Sequence, residues 1–221
     1  MPEDEKALDP PSTSCETALD IASFVSSAVP WVGGPVSAVL SGMSFGRKLG
    51  RIREVLEGVV DDLRHFKSAA SEKYVKTDEF KELLENALRR AADERNEKKR
   101  RLFRTFLTQS ITAAVPWYDE QIKILRILDE LQPDHVLVLR ALLEAPTPDH
   151  DAIMGSPLQT LHKRLPEFSR EHIEQLIPDL NDLRLTNLQA LKTMMTAYGA
   201  QDLRHFVSPF GSRFAQFLLG S

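Results

Sequence analysis

Apolar side chains return at helical intervals along most of this chain. Leu49, Ile52, Val55, Leu56, Val59, Leu63 and Phe66 share one helix face, with Arg51, Arg53, Glu54, Glu57, Asp61 and Asp62 between them. Thr77 is placed to cap a helix with Asp78 and Glu79 in its first turn, where the helix dipole favours anions. The inner face of that helix is Phe80, Leu83, Leu84, Ala87, Leu88 and Ala91. The apolar stripe stops from Ala92 to Arg101 and resumes at Leu102, Phe103, Phe106, Leu107 and Ile111. That pattern fits one long helix with a solvated middle, or two helices broken near Asn96. Tyr118–Leu131 reads as a further amphipathic helix built on Ile122, Leu125, Ile127 and Leu128.

The N-terminal pattern differs. Residues 1–15 hold three prolines, a Ser/Thr cluster and Glu3, Asp4, Glu5 and Asp9, which predicts a disordered acidic tail. Thr13 followed by Glu16 has capping-box spacing, so a helix is expected to start near Glu16. From Ile21 to Gly46 no residue is charged, and Pro30-Trp31-Val32-Gly33-Gly34-Pro35 breaks the run. The prediction is a hairpin of two apolar helices, residues 17–29 and 36–46, with neither helical through the Pro/Gly turn.

Ala38, Gly42, Gly46 and Gly50 stand four residues apart, a small-residue ladder that lets helices approach closely. Trp31 at the turn, with Arg47 and Lys48 after the run, has the character of a membrane-surface element. Helices of this length reach only ~17–20 Å against a hydrocarbon core of ~30 Å, so neither crosses a bilayer alone. The hairpin is therefore expected to be core, or to contact a membrane without spanning it.

The last third has its own order. A helix over Asp134–Glu144 leads into a Pro/Asp-rich loop, Ala145–Ser156. Ser156-Pro157 then starts a second helix, with Ser as cap and Pro at the first helical position. Ser169 caps a third helix with Ile173, Leu176, Ile177, Leu180 and Leu183 on one face, and Pro178 inside it is expected to kink it. Leu183–Thr186 and Leu203–Val207 are expected to be short strands around a variable segment, Gln189–Gln201, before a terminal helix from Ser208-Pro209. Three helices, strand, wing, strand and helix is the winged-helix order. The expected fold is thus mainly α: a helical hairpin (17–46) and bundle in a first domain, 16–131, then a winged-helix-like domain with a small β-hairpin, 132–221. Two short strings recur, Ala-Val-Pro-Trp and Asp-Leu-Arg-His-Phe, but neither extends into a repeat.

Composition narrows the classes of function. A net charge of −4 over 221 residues argues against coating nucleic acid by bulk charge. Cys15 is the single cysteine, so no intrachain disulfide forms, which fits a reducing compartment. The acidic start does not read as a secretory signal. Local charge is concentrated at residues 89–104, where Lys98, Lys99, Arg100 and Arg101 are candidates for an anionic partner. Asp93, Glu94 and Glu97 are interleaved, and Glu94–Lys98 and Glu97–Arg101 have i,i+4 spacing, the signature of a self-paired solvated face. The third helix of the last domain carries Glu171, Glu174, Asp179 and Asp182, the wrong sign for major-groove reading.

Catalytic and metal signatures are missing. No two histidines stand at i,i+3 or i,i+4, and there is no HExxH, Gly-x-Ser-x-Gly or Gly-rich phosphate loop. Asp149-His150-Asp151 is the densest polar triplet and reads as a solvated turn. No catalytic residue, metal or cofactor is assigned.

Three segments carry a resemblance: Val29-Pro30-Trp31-Val32-Gly33-Gly34-Pro35 with Gly46-Arg47 and Arg51; Glu97-Lys98-Lys99-Arg100-Arg101 to Phe106-Leu107; and Ser208-Pro209-Phe210-Gly211-Ser212-Arg213-Phe214. On these, the chain resembles a loose group of uncharacterised bacterial helical proteins with an N-terminal apolar Gly/Pro hairpin and a C-terminal winged-helix-like end. The resemblance spans most of residues 20–220 and implies the architecture, without an activity. The expected function is a non-enzymatic interaction protein. Its hairpin would self-associate or contact the cytoplasmic membrane face, and its C-terminal end would bind a protein partner. The alternative is a winged-helix DNA-binding regulator.

Overall fold

The computed structural model describes residues 12–41, 48–65, 72–112, 118–146 and 153–219. Among them the chain is mainly helical, with one small two-stranded antiparallel sheet. It divides into two compact units, Met1–Ile122 and Lys123–Ser221.

The first unit contains α1 (Ser12–Ala28), α2 (Pro30–Ser41), α3 (Leu49–His65), α4 (Glu72–Val75), α5 (Asp78–Asp93) and α6 (Glu97–Thr112). The α1–α2 hairpin forms, but its details differ from expectation. Helix α1 begins at Ser12, so Thr13 lies inside it and is not its cap. Helix α2 begins at Pro30 and runs through Gly33, Gly34 and Pro35. Pro30 takes the first helical position, where its missing N–H costs nothing. Pro35, the sixth residue of the helix, lies past the first turn and lacks the N–H for one intrahelical bond. The reversal is compressed to Val29, whose amide still reaches the Val25 carbonyl at 2.8 Å.

Close packing in the hairpin falls on Gly33, where an added Cβ would lie 2.1 Å from Ser26 Oγ. Val25, Val29, Val32, Val36 and Leu40 are buried, joining Ile52 and Leu56 of α3 and Phe80, Leu83 and Leu88 of α5 in the core. Thr77 caps α5 as expected, its hydroxyl accepting the Phe80 amide at 3.2 Å. Helix α5 ends at Asp93 and α6 starts at Glu97, so the charged stretch is two helices.

Helices α3 and α6 meet along a polar seam spaced by one helical turn. The Arg100 guanidinium donates to Glu54 at 2.7 and 2.9 Å. Arg104 lies across Gly58, where a Cβ would sit 2.5 Å from its Cδ, and donates to Asp62 at 2.8 Å. Thr108 completes the set on Asp62 at 3.1 Å.

The second unit begins inside α7 (Tyr118–Glu130). It continues through α8 (Pro133–Leu143), β1 (Met154–Gly155), α9 (Pro157–Arg164), α10 (Arg170–Asp182), β2 (Met195–Thr196), α11 (Ala197–Gln201), a 3-10 turn (Arg204–Phe206) and α12 (Pro209–Leu219). Ser156 and Ser169 cap α9 and α10, and Pro157 stands at the start of α9. Leu139, Leu142, Leu161, Ile173, Leu180, Leu203 and Phe214 form the core of this unit.

The strands lie elsewhere than expected. The sheet pairs Met154 with Thr196 and Gly155 with Met195, joining the loop before α9 to the segment after α10. Leu183–Thr186 is not a strand. Arg184 adopts a left-handed φ of 57°, and the amides of Leu185 and Thr186 turn back to the Leu180 carbonyl at 2.9 and 3.2 Å, closing α10. Leu203–Val207 contains the 3-10 turn instead, with Asp202 accepting from the Arg204 guanidinium. One bridge, Thr186 to Val207, is what remains of the expected pairing. Gly211 sits against the Leu185 carbonyl, where a Cβ would come within 2.1 Å.

Candidate functional site

The β1–β2 ribbon carries an apolar surface. Ile153 is 85% exposed, Tyr198 71%, Met194 52% and Met154 50%. Register explains the Met154 side: Met154 and Thr196 face one way, Gly155 and Met195 the other. The Gly155 face turns inward, where a Cβ would come within 3.1 Å of Ala200 Cβ in α11. On the opposite face Met154 is exposed among the described residues. Large exposed apolar chains, two of them adaptable thioethers, form the sort of surface that protein contacts use.

Beside the ribbon in sequence lies a groove of about 630 Å³ between α10 and residues 188–193. Ile177, Leu188 and Leu191 line it, with Glu174, Asp182 and Lys192 among its polar residues. Asn181 fixes the far wall, accepting the Leu188 amide at 3.0 Å and donating to the Leu188 carbonyl at 3.0 Å. Lys192 reaches Glu174 at 2.8 Å. The amide of Leu158 in α9 donates to the Leu191 carbonyl at 3.0 Å, tying the strap to a second helix.

The carboxylates of α10 are distributed by position. Asp179 accepts a bond from His135 Nε2 at 3.0 Å. His135 Nδ1 in turn accepts the Gln132 amide at 3.0 Å, which leaves Nε2 as the donor to Asp179. Glu171 is held below the usual carboxylate range by its own backbone amide and by Ser169. Asp182 is exposed and has no ion pair among the described residues.

No family model, curated protein or solved structure matches the chain.

The residues expected from sequence to face an anionic partner are mostly engaged within the first unit. Arg100 belongs to the α3–α6 seam, and Arg101 pairs with Glu97 at 2.6 Å as its spacing predicted. Lys99 is buried, with Glu94 at 3.7 Å, and the expected Glu94–Lys98 pairing is replaced because residues 94–96 are not helical. Lys48 pairs with Asp93, and Arg51 donates to the Ala92 carbonyl at 2.8 Å at the end of α5. Lys98 is exposed.

Of the glycine ladder, Ala38 is exposed, and Gly50 is exposed with nothing within 4 Å of an added Cβ. Gly42, Gly46, Arg47 and the Trp31 side chain lie outside what the structure describes, as does Asp149-His150-Asp151. Among the described residues no group of three His, Cys, Asp or Glu could hold a metal ion. No described helix is long and apolar enough to cross a membrane.

Sequence reasoning missed the ribbon. Ile153 and Met154 sit in a polar loop and Met194 in an aperiodic segment, so no hydrophobic period marked them. The available signal was simply that large apolar residues interrupt two otherwise polar connections.

Proposed function

We propose that this chain is a non-enzymatic interaction protein whose second unit, a winged-helix-like module, holds a protein partner. The observation that carries this is the exposure of Ile153, Met154, Met194 and Tyr198 in and directly flanking the two strands, with the α10 groove next to them in sequence. The three helices α8, α9 and α10 followed by β2 support the winged-helix-like reading, while β1, which precedes α9, departs from the order expected from the sequence. The carboxylates of α10 weigh against this helix reading DNA, since phosphates would repel them. The hairpin offers less to a membrane or a second copy. Its large described apolar side chains are buried, apart from Leu19 and part of Phe24.

The test is a photoreactive amino acid placed at Met194 in the 221-residue chain, with a matched probe at exposed Glu167 as control. The expected result in intact cells is a discrete adduct of one protein species from position 194 and none from 167. The adduct should vanish when Ile153 and Tyr198 are changed to serine. Equal, diffuse labelling from both positions would sink the proposal.

A further inference from the structure

Resting on that reading, we infer that the ribbon and groove take a basic peptide segment of the partner. A Lys or Arg would be set against Asp182, with aliphatic neighbours on Met154, Met194 and Tyr198. Three observations point there.

The first is charge. Glu174 is neutralised by Lys192 at 2.8 Å and Asp179 is engaged by His135, whereas Asp182 borders the groove exposed and without an ion pair among the described residues. Arg170 and Arg184 lie at or beyond the two ends of α10 and neither lines the groove. The unanswered charge inside the groove is thus negative, and an incoming cation is its complement.

The second is length. Glu174 and Asp182 are eight residues apart on α10, about 12 Å along the axis, which about four extended residues span. That suits a short peptide better than a folded surface. The third is continuity. Residues 188–193 wall the groove and lead directly in sequence through Met194 into β2 and Tyr198.

The experiment uses the 221-residue chain and three labelled hexapeptides: alternating Lys-Leu, alternating Glu-Leu and alternating Lys-Ser. Anisotropy reads affinity and amide NMR shifts locate the site. The Lys-Leu peptide should bind, shifting amides of residues 153–155, 174–182 and 188–198. Asp182→Asn should weaken it roughly two- to fivefold and flatten its salt dependence. Tyr198→Ser should weaken it roughly tenfold with the salt dependence kept. Both positions are exposed, and circular dichroism checks that each variant stays folded.

If the Glu-Leu peptide binds the ribbon as well as the Lys-Leu peptide, the basic-segment inference fails and the interaction reading stands. If the Lys-Ser peptide binds equally well, the apolar half of the inference fails. If no peptide moves these amides, the inference is overturned, and the crosslink from position 194 still judges the broader reading separately.

Discussion

Arg164 ties together three helices of the second unit from one side chain. Its guanidinium donates to the Ala141 carbonyl of α8 at 2.5 Å and the Gln201 carbonyl of α11 at 2.8 Å, while the residue itself ends α9. Carbonyls at helix C-termini have no intrahelical partner, and a planar cation with several donors meets more than one of them. Burial draws its pKa down, and Glu144 at 3.8 Å offsets part of that. Arg164→Met should therefore cost about 2–4 kcal/mol in urea unfolding, since both carbonyls are orphaned. Arg164→Lys should cost less than Met, because it keeps the charge and one of the bonds. Equal stability of all three chains would show that the carbonyls find other partners.

Arg184 is the converse case, a residue at odds with its backbone. Its left-handed φ of 57° follows the end of α10, a position glycine favours, and its side chain is exposed. Arg184→Gly should stabilise the chain by about 1 kcal/mol, read as a rise in Tm. A fall in Tm would mean that the arginine side chain contributes more than the strain removes.

At the scale of elements, capping chemistry was legible at three helix starts and misread at Thr13, which lies inside α1. Thr77, Ser156 and Ser169 each start a helix where expected, because a cap is settled within four residues and needs no partner elsewhere. The α2 helix was not legible, since Pro30 and Pro35 read as breakers unless it is known that the helix begins at Pro30. The two-residue strands were not legible either, being too short to show alternation and paired across α9 and α10. The basic cluster was legible as charge but not as structure. Glu54, Gly58 and Asp62 meet Arg100, Arg104 and Thr108 only once α3 lies beside α6.

Neighbouring glycines in α2 give a test of the hairpin. Gly33→Ala drives a Cβ into Ser26 and should destabilise the first unit by about 1–3 kcal/mol. Gly34 has nothing within 4 Å of an added Cβ, so Gly34→Ala should be neutral or stabilising by up to about 1 kcal/mol. Opposite signs in parallel denaturation curves would confirm the packing, and matching signs would contradict it.

At the scale of the whole molecule, alkaline pH separates the units. Burial pushes the Tyr74 phenol up to about 12, and burial with the Glu82 carboxylate does the same for Tyr118. Both lie in the first unit, and a phenol in the unfolded chain ionises near ~10. The folded chain therefore holds these protons more tightly. Their contribution to stability is complete below about 10 and is lost as pH rises toward about 12. Lysines and other groups titrate there too, so the measurement is a difference. Tyr118→Phe should lose less stability than the parent chain between those pH values, and parallel curves would rule the contribution out.

The ribbon has a consequence beyond its apolar character. Its two strands come from either side of α9 and α10, so Met154 and Thr196 are paired only while both helices are folded. No linear fragment of the chain reproduces that surface. A partner that recognises it reads the integrity of the whole second unit, and ignores unfolded or truncated copies even though they contain every residue of the patch.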